Sequence, residues 1–491
     1  MSRMYKLKAS LLRRADRPTI DLSQLESISP PASEAELVGR WRADAPCVVS
    51  ICMLTYNHAP YLRKALDGIL GQQTDFGFEI LIHDDASTDG TQDIIREYQL
   101  RYPTVIKPIL QTENQWSQGV NPSITYNYPR ANAEFVTWCE GDDMWTDPLK
   151  LALQVDGLRR HPSINLSFHQ AVLVHYGQKC VKPYLIGDYA DSDRIVSFHE
   201  AIYRPQGLIP TASCMVRWSV KQKLAEFMKT RGYIRGGDVF LQMFGAMGDG
   251  ALYHAKPMSI YRFQTRHSLT RGMRDEIEKL ANHQAAVIRA YLEINRETGG
   301  SLSRELKTLI FQRILWLFNR EPVPPQIIRS LNLDALMREF LKIKRAIHRK
   351  AVELNESPRN HVIYGCGSGC TMIMKKIDQA KVSCIVDRDG KWIGEEIFEK
   401  PIVSADEIAK FPDCNLIVST LAPDKRAIER LAARHGVKPE RIHYFFDDLV
   451  EAIDMNLLSR EAHDLPYDFS GQRPPGWWPR NETRTVSSTT C

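Results

Sequence analysis

Nowhere in the 491 residues is there an apolar run long enough to cross a bilayer, which takes about 20 consecutive apolar residues. The first 17 residues carry Lys6, Lys8, Arg13, Arg14 and Arg17 but lack the apolar core of a signal peptide. The expectation is a cytoplasmic protein, with contact at the inner membrane face as the further option that this basic stretch raises. Ten cysteines stand in no disulfide-like framework, and Cys52 and Cys139 lie inside apolar runs; they read as reduced core thiols. Cys366 and Cys370 have no second Cys or His pair at a ligand spacing, so a structural metal there lacks its other half. An excess of one charge is missing too. Lys and Arg number 64 against 59 Asp and Glu, a formal +5, which is too dilute to imply nucleic acid. What is present, 43% apolar and 25% charged residues, is the make-up of a globular protein too long for one core.

Residues 1–45 form a basic, then Pro- and Ser-bearing leader expected to pack loosely. Val48 to Leu54 is a continuous apolar run followed by the polar Thr55-Tyr56-Asn57-His58 and a helical pattern from Pro60 to Leu70. Glu79 to His83 repeats the scheme, ending in Asp84-Asp85-Ala86-Ser87-Thr88-Asp89-Gly90-Thr91 before a helix over Gln92–Tyr102. Val105 to Leu110 is a third strand. Apolar strands alternating with helices predict a parallel α/β sheet, whose ligands bind beyond the carboxyl ends of the strands.

A fourth run, Phe135 to Cys139, enters Glu140-Gly141-Asp142-Asp143-Met144-Trp145. Carboxylates this close repel one another unless a cation or hydrogen-bond donors neutralise them. Magnesium or manganese, held by one or two carboxylates with phosphates completing the shell, is one answer; an acidic turn capping the helix that starts near Asp147-Pro148 is the other. Asp89 suits a helix cap. Thr211 to Val216 reads as a strand, and Gly236-Gly237-Asp238 opens an apolar helix, where Asp238 stands in a cleft or simply caps. His169 and His175 read as structural histidines. Helices are expected over Asp275–Glu297, Ser303–Phe318 and Leu333–Leu354; the amphipathic Leu309–Phe318 suits packing between domains.

The ordered series Thr55-Tyr56-Asn57, Asp84-Asp85 to Thr91 and Glu140-Gly141-Asp142-Asp143-Met144-Trp145-Thr146-Asp147-Pro148 resembles glycosyltransferase family 2, of the GT-A fold, over residues 47–270. The resemblance implies inverting transfer of a sugar from a nucleotide-sugar donor, by preference a UDP-sugar, to a glycan, lipid-linked or other hydroxyl acceptor, with Mg²⁺ or Mn²⁺ on the diphosphate. By the same resemblance Thr55, Tyr56, Asn57, Asp85 and Asp142 contact the nucleotide, Asp142 and Asp143 the metal, and Asp238 is the catalytic base. Arg262 and His267 are candidates for the diphosphate. Gln264 stands where relatives often have His, and the Gln-x-x-Arg-Trp signature of processive synthases is absent, so one sugar per encounter is expected.

A last unit begins at His361-Val362-Ile363-Tyr364-Gly365-Cys366-Gly367, with a helix expected over Met372–Gln379 and a strand ending at Asp387. This is the opening of a Rossmann-like unit in which Gly365, Gly367 and Asp387 are a candidate second nucleotide site, although Cys370 takes the third glycine position. The fold class expected is α/β throughout: leader 1–45, GT-A-type domain 46–271, helical connector 272–358, smaller Rossmann-like module 359–463 and a disordered tail 464–491. A bacterial surface-polysaccharide or glycoconjugate glycosyltransferase is the reading. An NAD-dependent sugar-nucleotide oxidoreductase and a non-catalytic nucleotide-sugar-binding protein are its alternatives; no Tyr-x-x-x-Lys pair in the last unit supports the former.

Overall fold

The computed structural model describes residues 20–462 except 21, 26–27, 43–45, 177–181, 204–207, 235, 267, 269–276, 321–322, 332, 388–392 and 422–424. The expectations for His267 and for the tail therefore lie outside the described residues. Two sheets organise the rest.

In the first, β1 (Cys47–Thr55), β2 (Gly77–Asp84), β3 (Ile106–Leu110) and β4 (Phe135–Trp138) run parallel in the order β3-β2-β1-β4. The apolar run of β1 is buried on both faces, as a strand inside a parallel sheet must be. After β1 the chain builds outward on one side through β2 and β3, then returns to place β4 on the other. The crevice between β1 and β4 is thus a topological switch point, where ligands of open α/β sheets bind. Helices Glu34–Val38 (α1), Ala59–Leu70 (α2), Thr91–Arg101 (α3) and Lys150–Arg160 (α4) belong to this half. Beyond β4 come β9 (Met215–Arg217), β6 (Leu166–His175), β10 (Ala251–Phe263) and β5 (Met144–Trp145), with β6 and β10 parallel and the other contacts antiparallel. Pairing of β5 with β10 ties the exit of the acidic turn to the strand that ends at Phe263.

The structure departs from two expectations. Thr211–Ser213 is a turn of 3-10 helix and the strand starts only at Met215, because the Ser213 hydroxyl bonds back to the Pro210 carbonyl, offering the backbone an alternative to the ladder. The leader does not pack loosely over its second half. Leu37 is fully buried, the Glu34 carboxylate accepts from Thr104 N (2.9 Å) and Thr104 Oγ1 (2.6 Å), the Tyr102 hydroxyl donates to the Pro31 carbonyl, and Trp41 meets Phe78 edge-on at 5.4 Å.

Helices Phe198–Tyr203 (α5), Asp238–Ala246 (α6), Ile277–Glu297 (α7), Ser303–Arg320 (α8) and Asp334–Glu356 (α9) join the first sheet to the second. The second sheet has the order β13-β14-β12-β11-β15-β16: β11 (His361–Tyr364), β12 (Val382–Val386), β14 (Lys400–Val403), β15 (Asn415–Val418) and β16 (Ile442–Tyr444) are parallel, and β13 (Glu396–Ile397) is an antiparallel edge. Its first helix is Ser368–Met374, earlier than the Met372–Gln379 expected, because the chain turns at Asp378, whose carboxylate accepts from Ala380 N. One hydrophobic cluster runs from Trp138 of β4 through Tyr291 and Phe311 to Phe446 and Ile363 of this second unit. Lys307 donates to the Glu451 carbonyl (2.9 Å) and Lys342 to the Ala452 carbonyl (2.6 Å), gripping the negative end of helix Asp447–Glu451 (α10). The expected packing role of Leu309–Phe318 is what the structure has, with Phe311 against Phe446 at 5.9 Å.

Because Leu37 fills a closed site, Leu37→Ala should lower unfolding free energy by about 3 kcal/mol in a urea titration. A loss near zero would mean that the arm is not docked.

Candidate active site

The carboxyl end of β1 is where three loops are fastened. Asp85 N donates to the Thr55 carbonyl (2.9 Å), and Gly141 N donates to the Leu54 carbonyl (3.0 Å). The Thr55 hydroxyl donates to Asp84 (2.8 Å). Asp84 is fully buried and also accepts from Ser87 N, Ser87 Oγ and Gln92 Nε2, so it holds the second loop together. Asn57 adopts a left-handed conformation (φ 55°), for which Asn is well suited; its Oδ1 accepts from Thr88 N (2.8 Å) while its own N–H donates to Ser87 Oγ. Asp89 accepts from Ala59 N and Thr91 N, both at 3.1 Å. It therefore caps the first residues of both α2 and α3. Tyr56 stands partly exposed at the rim, 37% accessible.

Asp85 is directed at a third segment. Its two oxygens accept from Gln115 N (2.7 Å) and Trp116 N (3.0 Å). Burial raises its pKa; those amides oppose the rise and neighbouring Asp84 adds to it.

In the acidic turn, a Cβ on Gly141 would lie 2.6 Å from Thr55 Cγ2 and 2.9 Å from His58 Nδ1. Only glycine lets the turn approach β1 so closely. Glu140 accepts from Leu54 N (3.1 Å), and burial together with the Asp142 charge pushes its carboxyl up to about 8. Asp143 is likewise raised well above the usual range, by burial first and then by Asp142. The Asp142 carboxylate accepts from Thr265 Oγ1 (2.6 Å) and lies 3.9 Å from His58 Nε2. Arg262 is 5% exposed, and its guanidinium donates to the carbonyls of Asp142 (3.1 Å) and Asp143 (3.2 Å) while its N–H donates to Asp143 Oδ1. The residue expected near a diphosphate thus holds the backbone of the acidic turn, with its guanidinium 5.5 Å from the centre of the Tyr61 ring.

Among the described residues, no three His, Cys, Asp or Glu side chains converge as a complete metal cage. The turn fits a hard divalent ion of the kind completed by phosphates and water. The second oxygens of Asp142 and Asp143 take no hydrogen bond among the described residues, and the raised carboxyls beside them show a cluster short of positive charge.

Asp238 is the first residue of α6. A Cβ built on Gly236 would lie 3.6 Å from Asp238 Oδ1 and 3.5 Å from His283 Cε1, so carboxylate and imidazole flank that glycine. Burial and Arg313 lower the His283 pKa to about 4 against the pull of Asp238. Buried Tyr128 feels both Glu140 and Asp238, which brings the acidic turn and the start of α6 to the same neighbourhood. In the second sheet, Gly365 (φ 99°) donates its N–H to the Val386 carbonyl, placing the glycine loop beside Asp387. A Cβ on Gly367 would meet nothing within 4 Å, whereas Cys370 is fully buried.

His58 and Thr265 were not expected as contributors to the site, and Asp84, part of the motif series, serves as the anchor of its own loop. The signal for the first two was adjacency, since His58 follows Thr55-Tyr56-Asn57 and Thr265 follows the Tyr261-Arg262 run. Beneath the turn, Lys150 is fully buried, 2.7 Å from Gln154 Oε1 and 4.0 Å from the Trp145 ring. Burial lowers its pKa to about 7. A lysine lowered on folding makes the unfolded chain bind more protons between about 7 and 10.5, so stability rises with pH across that window. Between about pH 7 and 9 the rise attributable to Lys150 is about 2 kcal/mol, and Lys150→Met should flatten it in denaturant titrations at several pH values.

An uncharacterized protein of Mycobacterium tuberculosis is 45% identical over 127 residues, 26% of this chain and 36% of the relative. A dTDP-rhamnosyl transferase of Shigella flexneri is 31% identical over 103 residues, 21% of this chain and 35% of the relative. The chain thus spans about a third of the length of these curated relatives. Among solved structures, S. aureus TarS residues 1–349 in complex with UDP covers 61% of this chain and 82% of its own, at 16% identity and a TM-score of 0.43. Residues 50–172 match the model of Glycosyl transferase family 2, and they are the segment from which the Thr55, Asp85 and Asp142 loops come.

Proposed function

We propose that the protein is an inverting glycosyltransferase that moves a sugar from a nucleotide diphosphate donor to an acceptor hydroxyl in the synthesis of a surface polysaccharide or glycoconjugate. The observation that carries this reading is the fastening of two acidic loops to the last carbonyls of β1, Asp85 through Thr55 and Gly141 through Leu54, at the switch point of the sheet. The relative named as a dTDP-rhamnosyl transferase supports a nucleotide-sugar donor.

In this reading the Thr55-Tyr56-Asn57 loop and Asp85 line the nucleoside side of the crevice. Asp142 and Asp143 hold Mg²⁺ or Mn²⁺, which when bound offsets the charge gained by the departing diphosphate. Arg262 keeps the two aspartates in place from behind, and Thr265 fixes one oxygen of Asp142. Asp238 removes the proton from the acceptor hydroxyl as that oxygen attacks the anomeric carbon on the face opposite the diphosphate, so the bond to the leaving group breaks with inversion. His283 flanks Asp238 as a neutral imidazole at physiological pH.

Two substitutions separate the roles. Asp142→Ala should abolish both turnover and the Mn²⁺-dependent part of donor binding, read by calorimetry with UDP, GDP and dTDP. Asp238→Asn should retain nucleotide affinity and lose turnover by about 10²- to 10⁴-fold, the usual worth of a positioned base. Undiminished transfer by Asp238→Asn would remove it from the chemistry.

A further inference from the structure

A cleft of about 270 Å³ opens between α5, α6, α7 and α8, lined among others by Tyr203, Val239, Gln284, Gln312, Arg313 and Trp316. It is just below the size usual for ligand pockets, about 300 Å³ and upward, and suits one sugar ring rather than a polymer. Val239 follows Asp238 directly in α6, and His283 feels both Asp238 and Arg313. Asp238 is not itself a lining residue; the cleft lies on the neighbouring face of α6, one residue along the helix from the carboxylate assigned to the acceptor.

Its chemistry is specific. None of the lining residues is acidic. Arg313 donates to Gln284 Oε1 (3.0 Å) and forms no ion pair among the described residues, so the guanidinium lacks the carboxylate or phosphate whose geometry it matches. Gln312 adds an amide with both donor and acceptor capacity. Trp316, at 38% accessible, and Tyr203 supply the flat apolar surfaces on which the C–H face of a pyranose packs. An aromatic wall, amides and an unpaired guanidinium together select a ring that carries hydroxyls and one negative group.

We propose that this cleft binds the sugar unit of the acceptor and that this unit is acidic, bearing a carboxylate or a phosphate. The inference rests on the reading of Asp238 as the acceptor-side base, and it adds a substrate class that no motif in the sequence announces. The connector helices α7 and α8 then form one wall of the acceptor site.

The test uses the full chain with UDP and Mn²⁺ present and three probes, glucuronic acid, glucose 1-phosphate and neutral glucose, followed by saturation-transfer NMR and calorimetry. At least one acidic probe should bind about tenfold or more tightly than glucose, and whichever acid binds better identifies carboxylate or phosphate as the group. Trp316→Ala should weaken all three, and Arg313→Gln should erase the preference for acid while leaving the UDP-induced thermal shift unchanged. Glucose binding as tightly as both acids, no binding of any probe, or a preference for acid that survives Arg313→Gln would overturn the proposal. Failure of UDP to bind, with the sugar preference intact, would instead overturn the donor assignment and spare the cleft.

Discussion

Carboxylates gathered at the end of one strand repel each other, and the neighbouring structure holds them together despite it. Glu140 and Asp143 are pushed toward protonation by burial and by Asp142, yet the turn is fixed on every side. Leu54 offers both its N–H and its carbonyl to it, glycine at 141 allows the approach, and Arg262 grips the carbonyls behind. An arrangement that keeps like charges this close carries an electrostatic cost, which a cation would relieve.

The placement of β10 serves the same end. This strand pairs with β5, which leaves the acidic turn, and its last residues deliver Arg262 and then Thr265 to that turn. Residues about 120 apart in sequence meet because β10, running between β6 and β5, ends beside the turn from which β5 leaves. Lys150 lies underneath, stacked on Trp145 and bonded to Gln154, so the floor of the turn is itself a buried polar network. Such networks specify one arrangement when every member is satisfied.

Sequence pattern made the parallel half of the first sheet legible. The doubly buried runs of β1, β2 and β4 are continuous apolar stretches, and the polar loops after them could only fall at one edge. It did not reveal what depends on distant partners. Nothing local says that Leu37 is a core residue, since its burial comes from docking on β2, β3 and their helices, and nothing in Tyr261-Arg262-Phe263 says that the guanidinium will turn to backbone carbonyls. Thr211 to Val216 looks like a strand by composition; the Ser213 hydroxyl, bonding back to Pro210, decided otherwise. Asp85 and Asp89, four residues apart in one loop, could be told apart only in kind. One is aimed at the backbone of Gln115 and Trp116 and the other caps two helices at once.

The lysines that clasp the end of α10 belong to α8 and α9, and those helices share one apolar cluster with both sheets. Among the described residues the apolar cluster is continuous along that path, so heat or denaturant meets a single cooperative body there. Cutting the chain after the connector would strip Phe446 and its neighbours of their cover, leaving each fragment with a sticky flank. Designers seeking a smaller folded piece would do better to shorten surface loops than to divide the chain.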